Sequence, residues 1–168
     1  MKFLIVVDMQ EDFVRGALGS AAAEAIVPRV VEKVKAFDGT VLFTRDTHGE
    51  DYRQTQEGRK LPVVHCVKDT AGWQIVSELL PYVTRVVDKP TFGSVDLPRI
   101  LADYGDVDEV TLCGLCTDIC VISNAMLVKA AFPEATVTVD GTCSAGVSEE
   151  SHRTALQAMR AVQIEVVE

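Results

Sequence analysis

The chain has 168 residues, and its composition is that of an acidic globular protein. Its 16 Lys and Arg residues stand against 25 Asp and Glu residues, which gives a formal net charge of −9 at pH 7. Nucleic-acid binding depends on Lys and Arg that neutralise phosphates, so this charge argues against a nucleic-acid partner. Because 48% of the residues are apolar, the chain can bury about two-thirds of its unfolded surface in one core, and we expect a single domain over residues 1–168.

Hydropathy and cysteine content indicate the compartment. The longest early apolar run, Phe3–Val7, is ended by Asp8 and is too short for a bilayer span or a signal peptide. We therefore expect a cytoplasmic protein with no membrane partner. The five cysteines are an odd number in a chain with an ample core, which argues against a disulfide framework and for reduced thiols. A reduced thiol serves as a core residue, a metal ligand or a nucleophile.

Five or six short runs rich in Val and Ile recur along the chain, at the spacing of strands separated by helices. Most are apolar at successive positions, which indicates strands that are buried on both faces of a parallel sheet. The sequence therefore predicts an α/β fold with a parallel sheet between helical layers. The predicted strands are Lys2–Val7, Thr40–Thr44, Arg85–Val87, Glu109–Cys113, Ala135–Val139 and Gln163–Val167.

Helical patterns lie between these strands. Pro28 suits the first turn of a helix whose apolar residues continue at helical spacing to Phe37. Residues 46–62 are polar and form a long connection for a compact domain, which makes this segment a functional candidate. Further helices are predicted near residues 73–80, 95–103, 118–131 and 149–161.

Open parallel sheets bind ligands beyond the carboxyl ends of their strands. The sequence has neither G-x-G-x-x-G after its first strand nor G-x-x-x-x-G-K-[ST], so no nucleotide cofactor is predicted. Ionisable or thiol-bearing residues nevertheless follow the ends of the first four predicted strands. In chain order they are Asp8, then Arg45, Asp46 and His48, then Asp88 and Lys89, and then the segment 114–120.

Cys120 is the candidate nucleophile, because it follows the fourth predicted strand at the start of a helix. Thr117 or Asp118 would cap that helix and leave Cys120 in its first turn, where free N–H groups and the helix dipole stabilise a thiolate. From position alone, a small buried core residue is an equally good interpretation. Asp8 and Lys89 favour the nucleophile, since a base and an ammonium group arrive from neighbouring strand ends.

Five sequence blocks, which together extend over nearly the whole chain, resemble the isochorismatase-like cysteine hydrolases and, among them, the nicotinamidase-related amidases. The resemblance implies a Rossmann-like three-layer sandwich with a six-stranded parallel sheet. The blocks are residues 6–13 (VVDMQEDF), 44–48 (TRDTH), 61–66 (LPVVHC), 88–94 (DKPTFGS) and 114–121 (GLCTDICV).

The same resemblance implies an active site. Its catalytic triad would be Asp8, Lys89 and Cys120. A cis peptide is implied at Leu115–Cys116, with the backbone N–H groups of Cys116 and Cys120 as the oxyanion hole. Phe13, Leu18 and Leu61 fall at the implied substrate pocket, although Leu61 stands where many nicotinamidases carry an aromatic residue.

The presence of Cys120 also bears on the substrate. The isochorismatase branch of this family cleaves a vinyl ether without a cysteine nucleophile, so a retained cysteine favours an amide or ureido substrate. Our first hypothesis is a cysteine amidohydrolase that cleaves a small carboxamide, such as nicotinamide, through a thioester.

A metal site is implied by a second group of residues. Asp46, His48 and His65 resemble the nicotinamidase site in which an Asp and two His bind Zn²⁺ or another divalent ion, and Glu57 is the expected fourth ligand. Oxygen and imidazole donors suit Zn, Fe or Mn. The alternative is a local hydrogen bond between Asp46 and His48 with His65 as a buried structural residue. His152 is expected on the surface, in the first turn of the last helix.

Two other functions stay open at the level of sequence. The first is a metal-independent amidase of the same family that acts on carbamoyl or ureido compounds. The second, from a different class, is a non-catalytic thiol redox or small-molecule binding module that uses Cys113 and Cys116 and has no need of Lys89. The sequence also leaves open whether the chain forms a homo-oligomer.

Overall fold

A computed structural model describes residues 1–168, and its centre is a six-stranded sheet with strand order β3-β2-β1-β4-β5-β6. Every neighbouring pair of strands is parallel, which confirms the α/β fold and the parallel sheet predicted from the sequence. The strands are β1 (Lys2–Val7), β2 (Thr40–Asp46), β3 (Val86–Lys89), β4 (Glu109–Leu115), β5 (Thr136–Ala145) and β6 (Glu165–Val167).

Helices cover both faces of the sheet, and β1 shows how the core is divided between them. Phe3, Ile5 and Val7 pack into one apolar cluster, whereas Leu4 and Val6 pack into the cluster on the opposite face. None of the helices is both long and apolar enough to cross a bilayer. The helices are α1 (Glu11–Val14), α2 (Ala21–Ala36), α3 (Gln56–Lys60), α4 (Leu97–Ala102), α5 (Ile122–Ala131) and α6 (Glu149–Ala161).

The start of α2 was predicted wrongly. The helix begins at Ala21, where Ser20 Oγ accepts a hydrogen bond from Ala23 N at 3.0 Å, so Pro28 lies inside the helix and not in its first turn. Proline cannot donate the helical hydrogen bond to Glu24, but both residues are exposed, so water can satisfy that carbonyl.

The prediction of a helix near residues 73–80 is also wrong, because this segment forms turns followed by a 3₁₀ turn at Leu80–Tyr82. Its backbone pairs with the connection after β1 instead of with itself. Gln74 O accepts from Glu11 N at 2.9 Å, and Val76 N donates to Met9 O at 3.0 Å. These long-range bonds compete directly with helix formation.

Asp140 stabilises a bulge in β5. Its Oδ1 accepts hydrogen bonds from Thr142 N at 3.0 Å and Thr142 Oγ1 at 2.6 Å, and its Oδ2 lies 2.6 Å from Lys33 Nζ on α2. Beyond the bulge, Leu115 pairs with Ala145, so β4 and β5 end level at the carboxyl edge of the sheet. Burial raises the pKa of Asp140, but its bonds from Lys33 and Thr142 outweigh burial and hold that pKa below its ordinary value.

We expect Asp140→Ala to lower the free energy of unfolding by about 2 kcal/mol at pH 7, since it removes charge-assisted hydrogen bonds. The pKa of Asp140 is lower in the folded than in the unfolded state, so this contribution is present above 3.8 and disappears as the pH falls through the folded-state value. Urea unfolding at pH 7 and below pH 3.8 measures both effects, with Asp38→Ala as an exposed control. A difference that does not shrink in acid would contradict the assignment.

Candidate active site

The carboxyl edge of the sheet brings the predicted site residues together. Asp8 follows β1, Asp46 ends β2, Lys89 ends β3, and the segment from Cys116 to Cys120 follows β4. Because β1 lies between β2 and β4, Asp8 occupies the point where the strand order reverses. Such a point is where open α/β sheets form a ligand crevice.

Asp8 and Lys89 form a buried ion pair. Lys89 Nζ lies 2.6 Å from Asp8 Oδ2, and both side chains have 0% exposure. Asp8 Oδ1 accepts a hydrogen bond from Thr44 Oγ1 at 2.6 Å, and Lys89 Nζ donates to Thr91 O at 3.0 Å. The same ammonium lies 3.4 Å from Asp46 Oδ1. Asp8 has a φ of 48°, a left-handed conformation that is uncommon for a residue with a side chain and clusters at functional sites.

The electrostatics of this pair keep the ammonium charged. Burial raises the pKa of the Asp8 carboxyl, and the Lys89 charge opposes that rise. Burial alone lowers the pKa of Lys89, but Asp8, Cys120 and Asp46 around it raise that pKa above its ordinary value. The Lys89 ammonium therefore lies against two carboxylates, those of Asp8 and Asp46.

Cys120 lies in a π-helical turn, Thr117–Val121, that leads into α5, and it is 4% exposed. Its place at the helix start is as predicted, but the predicted cap is wrong. Thr117 Oγ1 bonds His152 Nδ1 at 2.7 Å, and Asp118 Oδ1 accepts from Val147 N at 3.0 Å, so neither side chain caps the helix. His152 is accordingly half-buried against this turn and not a surface residue.

The predicted thiolate is also corrected by the structure. Burial, and after it the Asp8 carboxylate, raises the pKa of the Cys120 thiol well above its ordinary value, and Lys89 only partly opposes them. Cys120 is therefore a protonated thiol at neutral pH. A nucleophilic role requires a base, and Asp8 is the carboxylate whose charge and hydrogen bond act most strongly on this thiol.

The backbone before Cys120 has the expected special geometry. The Leu115–Cys116 peptide is cis, as the sequence blocks implied. Gly114 has a φ of 116°, and a Cβ there would lie 2.2 Å from Val7 O, so only glycine fits between β4 and β1. Ile119 N and Val121 N both donate to Cys116 O at 3.0 Å, which fixes the turn that follows.

The four predicted metal ligands form one cluster. Asp46, His48, Glu57 and His65 each bring a ligand atom to within 4.8 Å of the others. Asp46 Oδ2 lies 2.8 Å from His48 Nε2 and 3.5 Å from His65 Nε2, and Glu57 Oε1 lies 3.5 Å from His48 Nε2. Glu57 comes from α3, within the segment 46–62 that was a functional candidate. Burial raises the pKa of Asp46, but bonds from both histidines outweigh burial and hold it well below its usual range.

The chemistry of this donor set fits a divalent ion. His65 Nδ1 donates to Val63 O at 2.8 Å, so Nε2, which hydrogen-bonds Asp46 when no ion is bound, is the nitrogen that would bind an ion in place of its proton. Two carboxylates and two imidazoles suit Zn²⁺, with Fe²⁺ or Mn²⁺ as alternatives.

Sequence reasoning missed the role of Gln10 and could not place Tyr52 in the site. Gln10 is fully buried; its Nε2 donates to Asp46 O at 2.9 Å and its Oε1 accepts from Asp46 N at 2.7 Å, which fixes that backbone. Tyr52 packs its ring against His48 and His65, with centroids 4.7 and 4.9 Å away. Gln10 lies between Met9 and Glu11, and nothing in that pattern marks it as buried. Tyr52 is an aromatic residue of the polar segment 46–62, and no motif indicates where its ring lies.

A cavity of about 470 Å³ opens at Cys120 and the metal cluster. Phe13, Leu18 and Leu61 all line it, where the sequence placed the substrate pocket. Its wall also contains Phe92 and Ile119, which the sequence did not single out. No Lys or Arg is among the 17 lining residues, so the cavity suits a neutral substrate.

Known proteins resemble this chain in sequence and in fold. Residues 2–168 match the family model of the isochorismatase domain. The nicotinamidase/pyrazinamidase of Mycobacterium tuberculosis is 31% identical over 188 aligned residues, covering 99% of this chain and 98% of that protein. An uncharacterised isochorismatase family protein of Bacillus subtilis is 31% identical over 142 residues, covering 74% of this chain and 76% of that protein. A crystal structure of the pyrazinamidase of Pyrococcus horikoshii in complex with zinc matches with a TM-score of 0.86 and 28% identity, covering 99% and 98% of the two chains.

We expect Asp8→Asn to increase the rate of Cys120 alkylation by iodoacetamide at pH 8 by about tenfold. Asp8 raises the pKa of this thiol and Lys89 lowers it, so losing the carboxylate leaves the lowering effect in place. Fragment-ion mapping of the alkylated peptide measures the rate, with Cys116 as an internal reference and thermal unfolding as the check on folding. Slower or unchanged alkylation of Cys120 would contradict the electrostatic account.

Proposed function

The chain belongs to the isochorismatase family, and from that membership we propose that it is a cysteine amidohydrolase that releases ammonia from a small neutral carboxamide, nicotinamide first among them. Hydrolysis of an amide C–N bond follows from the family and its nicotinamidase relatives. The observation that carries the finer proposal is the buried Asp8–Lys89 pair beside the Cys120 thiol at an apolar cavity.

Acylation begins with the protonated thiol. Asp8 takes the proton of Cys120 as Sγ bonds to the carbonyl carbon, and the backbone N–H groups of Cys116 and Cys120 receive the oxyanion. The C–N bond then breaks, and Asp8 passes its proton to the departing ammonia. Lys89 stays charged throughout and favours the carboxylate form of Asp8, which keeps that residue a base.

Deacylation reuses the same carboxylate. Asp8 takes a proton from water as the water oxygen bonds to the thioester carbon, the C–S bond breaks, and the proton returns to Cys120. The products are a carboxylic acid and ammonia. The high pKa of the free thiol favours this last step, because the sulfur recovers its proton readily.

Asp46, His48, Glu57 and His65 are the residues that would hold a divalent ion, Zn²⁺ by analogy with the zinc complex of the Pyrococcus horikoshii pyrazinamidase. When bound, such an ion supplies a Lewis acid for a lone pair, such as that of a pyridine nitrogen. Phe13, whose ring centroid lies 5.4 Å from that of His65, packs beside this position and presents an apolar face to the substrate ring.

The two alternative functions have less support from the structure. A carbamoyl or ureido compound that carries a carboxylate would find no Lys or Arg in the cavity wall to pair with it. A redox pair would need Cys113 and Cys116 at one surface, but Cys113 is fully buried in the core whereas Cys116 lines the cavity. Both thiols are free.

Cys120→Ala, Lys89→Ala and Asp8→Asn should each lower kcat for ammonia release from nicotinamide by about 10³-fold or more. The Asp8→Asn/Cys120→Ala double variant should be hardly worse than the worse single variant, because the residues act as one unit. A coupled ammonia assay measures these rates, and Cys143→Ala serves as a thiol control outside the cavity. Independent, additive losses would show that the three residues do not share a site.

His48→Ala and His65→Ala should empty the metal site while circular dichroism shows an intact fold. Hydrolysis of nicotinamide should fall at least about tenfold more than that of benzamide, which lacks the ring nitrogen, since the ion orients the substrate while the thiol remains the nucleophile. Elemental analysis and kinetics on both amides measure this, with zinc-reloaded wild type after chelation as the control. Equal losses on the two amides, or a wild type without metal, would overturn the orienting role.

A further inference from the structure

The cavity is longer than a pyridine carboxamide. Its wall contains residues from four neighbouring strand ends, namely Asp46 of β2, Phe13 after β1, Cys116 after β4 and Val147 after β5. Adjacent strands lie about 4.8 Å apart, so the ends of β2 and β5 are separated by roughly 14 Å. A substrate ring at Asp46 with its carbonyl at Cys120 occupies the part between β2 and β4. The end of the cavity beside β5 stays unfilled.

The first residues of α2 close this end of the cavity. The helix runs antiparallel to β5, because Lys33 Nζ bonds Asp140 Oδ2 at 2.6 Å and, one turn earlier, Arg29 donates to Thr142 O at 3.1 Å. Followed back towards its N-terminus, α2 therefore reaches the segment that follows the C-terminal end of β5. The five residues that form this end, here called the β5 lobe, are uncharged: Gly19, Ser20, Ala23, Gly146 and Val147.

The position of the β5 lobe relative to Cys120 determines which part of a substrate reaches it. A secondary amide is trans, so the substituent on its nitrogen extends away from the acyl group, and an acyl group directed towards β2 leaves that substituent directed towards β5. We propose that the site takes secondary carboxamides whose nitrogen carries an apolar substituent, and that the β5 lobe holds that substituent. This inference rests on the proposed function, because it uses the same thiol and the same orientation of the acyl group.

The chemistry balances as it does for a primary amide. Cys120 Sγ bonds to the carbonyl carbon, the C–N bond breaks, and the proton on Asp8 goes to the leaving amine, so a primary amine departs in place of ammonia. Water then cleaves the C–S bond. Val147 is 68% exposed, and Gly19 and Ser20 are exposed as well, so the β5 lobe opens to solvent and lets the substituent and the amine leave.

The kinetic experiment compares nicotinamide with N-butylnicotinamide on zinc-loaded wild type, Ala23→Leu and Ala22→Leu. Ala23 is 2% exposed and lines the β5 lobe, whereas its neighbour Ala22 is exposed and lies off the cavity. Wild type should release butylamine with a kcat/KM within about tenfold of that for nicotinamide. Ala23→Leu should lower the ratio of N-butylnicotinamide to nicotinamide kcat/KM at least about tenfold, because it fills the lobe, and Ala22→Leu should not change that ratio.

A binding measurement gives a readout that does not depend on turnover. Calorimetric titration of N-butylnicotinamide into Cys120→Ala should show binding, and adding Ala23→Leu should raise its Kd about tenfold. The inference is overturned if wild type hydrolyses nicotinamide but neither hydrolyses nor binds N-butylnicotinamide. It is also overturned if Ala23→Leu slows the hydrolysis of 5-butylnicotinamide, whose butyl group is on the acyl side, and leaves the hydrolysis of N-butylnicotinamide unchanged. If no amide is hydrolysed, the proposed function fails, and the calorimetric Kd values alone decide on the β5 lobe.

Discussion

The rest of the site depends on the buried contact between Lys89 Nζ and Asp8 Oδ2, at 2.6 Å with neither side chain exposed. Burying an ion costs several kcal/mol even after relaxation, and removing one partner leaves the other as an uncompensated charge. Lys89 also lies 3.4 Å from Asp46 Oδ1. A single ammonium on β3 therefore joins the carboxylate that would serve as the base to the carboxylate that would bind the metal.

This arrangement explains why Cys120 is not a preformed thiolate. One cation already faces two carboxylates, so an ionised sulfur would add a third negative charge in a buried site. Burial and the Asp8 carboxylate raise the pKa of the Cys120 thiol, and together they outweigh the stabilisation of a thiolate by the start of the helix. In the proposed mechanism the proton leaves the sulfur only as the bond to the carbonyl carbon forms, and the carboxylate that raises the pKa of the thiol is the group that takes its proton.

The sheet and the grouping of the site residues could be predicted, because both follow from local pattern and general geometry. Runs such as Phe3–Val7 are apolar at successive positions since β1 is buried on both faces, and parallel strands bring their carboxyl ends to one edge. The failures have long-range causes. Residues 73–80 pair with the backbone of 9–11, and the start of α2 is fixed by Ser20. The pKa of Cys120 depends on its burial in the folded chain and on Asp8, which is distant in sequence. The length of the cavity could not be predicted, because it depends on the strand order and on the direction of α2, and no sequence motif determines either.

The central claim is that Cys120 carries the acyl group of the substrate during turnover. Acid quenching of the enzyme while it hydrolyses nicotinamide, followed by fragment-ion mass spectrometry, tests this directly. The account predicts a nicotinoyl thioester on Cys120, with Cys116 unmodified and no adduct in Cys120→Ala. A nicotinoyl group on Cys116, or its formation in Cys120→Ala, would contradict it.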